Sequence, residues 1–167
     1  MSVTPLNSKL DPILLRRAFG AFPSGVVAVA AEVDGVRSGM VASSFTSVSL
    51  DPALVSFSVA NNSATWPVLR TSAHLGLSVL ADHHDAVCRQ LAGPVQHRFD
   101  GLSTTCTEDG ALLLDDAVAT FECSLHQEVA AGDHTMVLLA LHAVEDTGTA
   151  LPLVFHRSAF GRLSASA

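Results

Sequence analysis

The sequence predicts a mainly β protein, an antiparallel barrel with Greek-key-like connections and a few flanking helices. About seven segments have strand patterns, and most of them are joined by short turns. Only two or three segments have helical patterns, and the chain shows no internal repeat and no linker. These observations favour one closed antiparallel barrel with helices beside it. We expect a single domain over residues 11–163, preceded by a flexible tail over residues 1–10.

The N-terminal part of the chain predicts a helix followed by a hairpin. Asp11-Pro12 is typical of a helix start, with an N-cap followed by proline at the first helical position, and the helix continues to about Phe19. Residues 25–33 are a continuous apolar run rich in Val and Ala, which indicates a buried strand. Asp34-Gly35 is a hairpin signal, and the return strand covers residues 36–45.

The middle of the chain predicts two strands, two helices and a loop. Residues 54–60 alternate between apolar and serine positions, as in a half-buried strand. Residues 63–70 are typical of a short helix with serine as its N-cap. A strand is expected over residues 74–80 and an amphipathic helix over residues 82–92. Residues 93–110 are rich in turn formers and predict a long surface loop.

The C-terminal part predicts three more strands. Residues 117–129 alternate most clearly of all, with apolar side chains on one face and polar ones on the other. Gly132 predicts a turn, and residues 136–144 are so apolar that both faces are expected to be buried. Residues 151–156 form the last predicted strand.

The two apolar strands, residues 25–33 and 136–144, also predict self-association. Each strand of a barrel has an inner and an outer face, so two strands that are apolar on both faces present apolar surface outward. The predicted helices at 11–20 and 82–92 are too few to cover both outer faces. We therefore expect a homodimer, since a two-fold axis is the commonest way to hide such a surface.

Composition excludes several classes of protein. Of 167 residues, 49% are hydrophobic and 15% charged, and the net charge of −7 repels nucleic acid and anionic membranes. No stretch reaches the roughly 18 uncharged apolar residues that span a bilayer. The first ten residues lack the pattern of a signal peptide, and three widely spaced cysteines do not make a disulfide framework. We expect a cytoplasmic protein with reduced thiols.

The common catalytic and nucleotide-binding motifs are missing. No two glycines are spaced G-x-G, so the sequence has no Rossmann fingerprint, and it has no P-loop. It also lacks the G-x-S-x-G elbow of hydrolases. No pair of its eight histidines has a metal-ligand spacing such as H-E-x-x-H, so we expect no metal.

Four segments occurring in order together resemble the short-chain flavin reductase family, the reductase partners of two-component flavin monooxygenases. FGAFPSGVV at residues 19–27 is similar to the family's F-x-x-F-P-[TS]-G-V. GMVASSFTSVSLDP at residues 39–52 is similar to G-x-T-A-S-S-F-x-S-[VL]-S-x-x-P, and this segment is specific. FEC at residues 121–123 is similar to L-E-C, and GDH occupies residues 132–134.

The resemblance implies a flavin-binding split barrel, usually a homodimer, in which a flavin and a nicotinamide meet in one groove. The flavin would be FMN or FAD, the reductant NADH or NADPH, and the transient partner a flavin-dependent monooxygenase. The chain departs from the family at Val41, where Thr is common, and at Ala53, where Pro often follows Asp-Pro. It has no Tyr, so Phe155 and Phe160 occupy positions where the family often has Tyr, which can change flavin choice or nicotinamide stacking.

A flavin site needs hydrogen-bonding groups for a phosphate and a ring edge, and a dry wall for the ring face. The segment after residue 39 offers a small alanine and two serine hydroxyls, although a serine-rich strand end can also simply bond to itself. A helix start near residue 63 offers free N–H groups for a phosphate, or is only an ordinary N-cap. The predicted cofactor-binding residues are Met40, Val41, Ala42, Ser43, Ser44, Ser49, Asn62, Ser63, Thr65 and Arg157.

His134 is the predicted catalytic residue. In the family the matching histidine lies near the nicotinamide, where it can bond to the carboxamide or supply a proton. Asp133 either orients His134 or only caps the turn. Without the resemblance, a lone histidine at a turn is more often structural.

The implied reaction is hydride transfer from the nicotinamide to the flavin. The two cofactors carry that chemistry, and the protein stacks the rings and excludes water, so no side-chain nucleophile is needed. Two alternatives remain: a non-catalytic flavin-binding or sensor module, and a pyridoxamine-phosphate-oxidase-like enzyme. The pyridoxamine-phosphate-oxidase-like enzyme needs several Arg or Lys residues around its substrate phosphate. The whole chain has only nine Arg and Lys residues.

Overall fold

The computed structural model describes residues 11–148 and 150–163, so the predicted tail over residues 1–10 lies outside the described residues. The described residues form three α-helices, one short 3₁₀ helix at Val95–His97 and twelve strands. The helices are α1 (Pro12–Phe19), α2 (Trp66–Leu69) and α3 (Asp85–Leu91). The strands are β1 (Ser24–Gly25), β2 (Val27–Val33), β3 (Val36–Ala42), β4 (Thr46–Leu50), β5 (Ala53–Ala60), β6 (Leu75–Val79), β7 (Thr104–Cys106), β8 (Leu112–Leu114), β9 (Ala119–Ala131), β10 (His134–Asp146), β11 (Leu153–His156) and β12 (Ala159–Arg162).

Seven strands form the main antiparallel sheet, in the order β3-β2-β6-β9-β10-β5-β4. The sheet curls, so the segment after β3 reaches β5, where the Ser44 hydroxyl accepts a hydrogen bond from the Ser58 N–H at 2.9 Å. Strands β1, β11 and β12 form a second sheet, and β7 pairs with β8. The predicted mainly β, antiparallel barrel with a few helices is confirmed.

Strand β2 is buried on both faces, as its apolar run predicts. Alternate residues over 27–31 belong to the cluster inside the barrel, which also contains Phe57. On the outside, Val26 and Ala28 belong to a second cluster that includes Cys88 and Leu91 of α3. Because α3 supplies this outer cover, residues 27–31 are withdrawn from water, whereas Glu32 and Val33 at the end of the strand are partly exposed.

Strand β10 is buried on one face only. Val137 and Leu139 point into the barrel and are fully buried, whereas Met136 is 41% exposed and Val144 is 67% exposed. The prediction that both faces of residues 136–144 are buried is therefore wrong for the single chain. The described residues supply no helix to the outer face of this strand.

Helix α1 begins where Asp11-Pro12 predicts, and the Asp11 carboxylate accepts a hydrogen bond from the Ile13 N–H at 2.9 Å. None of its residues is buried, and Ile13 and Phe19 are largely exposed. The predicted helix at 11–20 therefore exists but covers no strand.

Two predicted helix starts and one predicted loop differ from the structure. The helix expected over residues 63–70 is the shorter α2, whose N-cap is Thr65 instead of Ser63. The helix expected over residues 82–92 starts at Asp85, because a preceding turn lets Nδ1 of His84 accept the Ala81 N–H at 3.1 Å. The loop expected over residues 93–110 contains the 3₁₀ helix and β7, which is stabilised by its distant partner β8.

The three cysteines are free thiols. Cys88 and Cys123 are buried and Cys106 is exposed. Burial raises the pKa of Cys123 to about 12. In the described parts of the chain, no helix has both the length and the apolar character needed to cross a membrane.

Candidate functional site

An apolar cavity of about 250 Å³ lies beside the end of β3. Val41, Ala42 and Ser43 line it together with Phe155 and Phe160, whose ring centroids are 5.6 Å apart. Its size suits a ring system better than a whole nucleotide. The small Ala42, the two aromatic rings and the exposed Ser43 hydroxyl fit a planar aromatic ring with polar edges.

Three other residues of the predicted flavin set lie outside this cavity. Met40 faces the opposite side of β3 from Val41 and packs against the barrel interior. The Ser44 hydroxyl accepts the Ser58 N–H and lies 3.2 Å from the Ser58 carbonyl oxygen, so its hydrogen-bonding capacity is used within the barrel. Ser49 lies half-buried on β4 and lines neither this cavity nor the two described below.

A second cavity, of about 310 Å³, lies where β5 leads into α2. Asn61, Ser63 and Trp66 line it, and the Ser63 hydroxyl accepts the Trp66 N–H at 3.2 Å. Asn62 is exposed beside it. Because α2 has only four residues, its macrodipole is a weaker attraction for a phosphate than the longer predicted helix would supply.

Thr65 is buried and its hydroxyl is engaged by Arg98, which the sequence did not single out. The Arg98 guanidinium donates to Thr65 Oγ1 at 2.9 Å, to the Gly39 carbonyl at 2.7 Å and to the Gly93 carbonyl at 2.9 Å. Arg98 thus ties the start of α2 to β3, where the apolar cavity begins. A lone arginine in a turn-rich segment gives no local signal of such a role.

His134 is the first residue of β10, and its Nδ1 lies 2.7 Å from the Asp133 carboxylate. The hydrogen bond from His134 is the main cause of the lowered pKa of Asp133. A carboxyl that stays ionised accepts a hydrogen bond, so Nδ1 carries a hydrogen and the Nε2 lone pair of neutral His134 is free. The His134 side chain is 47% exposed, so a ligand can reach it.

Asn61 holds this turn in place and was also missed. Its Nδ2 donates to the Gly132 carbonyl at 3.1 Å, and its Oδ1 accepts the Thr135 hydroxyl at 2.9 Å. Its N–H donates to the Asp133 carbonyl at 3.0 Å. The β5–α2 junction and the His134 turn are therefore one unit, although the two segments are far apart in sequence.

Arg157 lies apart from both cavities, in the two-residue turn between β11 and β12. It lines a third recess, a groove of about 710 Å³, together with Arg16 and Arg17 of α1. The sequence predicted Arg157 as a phosphate ligand but gave no role to the two arginines of α1.

Within residues 11–148 and 150–163, two side-chain clusters have metal-ligand chemistry: His83, His84 and Asp116, and His74, Asp109 and Glu122. In the first, Nδ1 of His84 accepts the Ala81 N–H, so the neutral ring carries its hydrogen on Nε2 and cannot ligate there.

In the second cluster, Nδ1 of His74 lies 2.7 Å from Glu122, which also accepts the Thr107 hydroxyl at 2.9 Å. Hydrogen bonds account for both clusters, and the absence of a metal stays a prediction.

Comparison with known proteins gives a consistent result. Residues 19–164 match the family model described as "Flavin reductase like domain". A flavin reductase of Pseudomonas putida is 34% identical over 161 residues, which are 96% of this chain and 95% of that protein.

Two solved structures share the fold. The Streptomyces globisporus NADH:FAD oxidoreductase SgcE6, in complex with NAD and FAD fragments, has a TM-score of 0.90 and 32% identity. The match covers 98% of this chain and 99% of that one. BorF, the flavin reductase component of a bacterial two-component tryptophan halogenase, has a TM-score of 0.85 and 32% identity, covering 93% and 100% of the two chains.

Proposed function

This chain belongs to the flavin reductase-like domain family, and from that premise we propose that it is an NAD(P)H-dependent flavin reductase that supplies reduced flavin to a partner monooxygenase. The single observation that carries this proposal is the match, over 98% of the chain, to the structure of SgcE6 in complex with NAD and FAD fragments. We take residues 11–163 to be one catalytic domain. The free cysteines and the need for NADH or NADPH favour the cytoplasm.

The apolar cavity is the proposed site for the flavin ring. Val41, Ala42 and Phe155 give it a dry wall, and the Ser43 hydroxyl can bond to a polar ring edge. Asn62 and Ser63 are the proposed contacts for the rest of the flavin, while Thr65 acts through Arg98 to hold them against β3.

His134 is the proposed contact for the nicotinamide. When both are bound, the reduced nicotinamide supplies a hydride from C4 and the flavin accepts it at N5. Asp133 holds His134 in the tautomer whose Nε2 accepts a hydrogen bond from the carboxamide N–H. Asn61 fixes the backbone of this turn, so the ring keeps one position.

Steady-state kinetics test the proposal. Purified protein should oxidise NADH or NADPH only when FMN or FAD is supplied, or much faster with it. Cytochrome c added as an external acceptor should then be reduced in a flavin-dependent way, because reduced flavin leaves the protein. If neither flavin accelerates NAD(P)H loss above the protein-free control, the chain is a flavin-binding module and not a reductase.

We also propose that the protein is a homodimer. Met136 and Val129 lie directly opposite each other on β10 and β9, and each is 41% exposed. The outer face of β10 continues through the half-buried Leu138 and Ala140. A second copy related by a two-fold axis would cover this apolar face. Sedimentation at micromolar protein should give twice the 17.4 kDa chain mass, and a monomer mass would rule the dimer out.

A further inference from the structure

The groove between α1 and the β11–β12 turn concentrates positive charge. It has a volume of about 710 Å³, and Arg16, Arg17 and Arg157 line it with Gly20. The Arg157 N–H donates to the Gly20 carbonyl at 2.9 Å, which docks the turn onto the end of α1. Three guanidinium groups from distant parts of the sequence therefore share one recess.

None of these three arginines forms an ion pair with an acidic side chain among the described residues. The arginine ion pairs found there are Arg70–Glu128 and Arg89–Asp85. The chain has a net charge of −7 and only nine Lys and Arg residues. Gathering three of nine cations at one groove, where they repel one another, favours the binding of an anion.

The backbone of the turn holds Arg157 in an unfavourable conformation. Arg157 has φ of 49° and Ser158 has φ of 64°, both in the left-handed region. Two-residue turns of this kind favour Asn-Gly, because L-residues with larger side chains are strained there. An arginine in this position costs conformational energy, which is consistent with a functional role for its charge.

The charge of Arg16 acts weakly on Asp133, in the turn that carries His134. The pKa of Asp133 is lowered mainly by the hydrogen bond from His134, and the positive charge of Arg16 also contributes. A volume of about 710 Å³ is in the range of small-molecule sites.

We propose that Arg16, Arg17 and Arg157 bind the phosphate groups of the nicotinamide dinucleotide. Arginine suits this role because its planar fork donates two parallel hydrogen bonds to a phosphate. The inference rests on the proposed reductase function, which supplies the dinucleotide. The phosphates are either the diphosphate that NADH and NADPH share or the additional 2′-phosphate of NADPH.

The test compares Arg16→Gln, Arg17→Gln and Arg157→Asn with Arg37→Gln, an exposed arginine on β3 that carries the same charge change. Asparagine tolerates the left-handed backbone at residue 157. We expect KM for the dinucleotide to rise about tenfold for each groove variant, with the flavin KM unchanged and Arg37→Gln like wild type. An equal rise for NADH and NADPH identifies the diphosphate, and a rise for NADPH alone identifies the 2′-phosphate.

Several outcomes would overturn the proposal. A higher KM for FMN but not for riboflavin would assign the groove to the flavin phosphate. An unchanged KM with a lower sedimentation mass would assign the arginines to a subunit contact, and an unchanged KM and mass would leave them without this role.

A separate measurement distinguishes failure of the proposed reductase function from failure of the proposed phosphate binding. If wild-type protein oxidises neither NADH nor NADPH, titration calorimetry with ADP tests the groove directly. If ADP binds to wild type and not to a variant that carries all three arginine substitutions, the groove is a phosphate site. If ADP does not bind to wild type, the proposal is overturned.

Discussion

Strands β2 and β10 have similar apolar sequences but very different surroundings. β2 is buried on both faces over residues 27–31, because α3 covers its outer side. β10 buries only the face that carries Val137 and Leu139. The burial of a strand is therefore set by what the rest of the chain places over it as well as by its own residues. The uncovered strand is where we expect the second subunit.

The largest effect is expected on stability, at Gly76 of β6, the strand that pairs with the covered strand β2. A Cβ at this position would lie 2.2 Å from the Leu112 carbonyl oxygen, a backbone atom that cannot easily move away. Gly76→Ala should lower the free energy of unfolding by about 3 kcal/mol, measured by urea denaturation. In Gly161→Ala on β12 the new Cβ meets nothing within 4 Å, so this control should stay near wild type. Equal stability of the two variants would show that the cover over β6 is loose.

The next effect is expected on the uncovered side, at Met136. Met136→Glu places a charge on the outer face of β10 and should weaken dimerisation about a hundredfold, measured by sedimentation over a range of concentrations. Val36→Glu on β3, also an exposed apolar position, serves as the control. A variant that dimerises as tightly as wild type would place the interface elsewhere.

A smaller effect is expected at the exposed start of β10. His134→Ala should lower kcat/KM for the nicotinamide substrate about fivefold, because the carboxamide loses its acceptor, while flavin affinity stays unchanged. His97→Ala removes another exposed histidine that pairs with an aspartate, Asp100 at 2.8 Å, and should have no effect. If both variants keep wild-type kinetics with NADH and NADPH, His134 only shapes the turn.

The smallest effect is expected on the pH dependence of stability, through His84 at the start of α3. Burial, and then the charge of His83, lower the pKa of His84 from 6.5. The unfolded chain therefore takes up a proton below pH 6.5 that the folded chain resists, so stability falls as the pH drops. The loss from this group is at most about 0.7 kcal/mol between pH 7 and pH 6.

Urea denaturation at the two pH values measures this loss. His84→Asn should flatten the pH dependence, whereas His156→Asn, an exposed position, should keep it. Identical slopes for wild type and His84→Asn would mean that other groups cause the acid sensitivity.

The sequence predicted those elements of the fold that depend on neighbouring residues alone. Asp11-Pro12 marked the start of α1, and Asp34-Gly35 marked a hairpin whose two residues have φ of 52° and 74°. The alternation over residues 117–129 identified β9 within two residues. By contrast, β7 has only three residues and depends on β8, so no periodicity could reveal it.

The site was predictable where one segment supplies it. Val41, Ala42 and Ser43 are consecutive in the segment that resembles the family pattern, and all three line the apolar cavity. Asn61 and Arg98 act through contacts with distant carbonyl and hydroxyl groups, which only the folded chain brings together. The same holds for the groove over α1, since nothing in the sequence places Arg157 beside Gly20.

The surroundings of the three thiols keep them protonated. Reduced flavin released into air reacts with oxygen and yields hydrogen peroxide, which oxidises cysteine through the thiolate and not the thiol. Burial raises the pKa of Cys88 and brings that of Cys123 to about 12, so both stay protonated at neutral pH. Partial desolvation and the nearby charge of Glu32 raise the pKa of the exposed Cys106 as well. The chain therefore holds all three cysteines in the form that peroxide attacks most slowly.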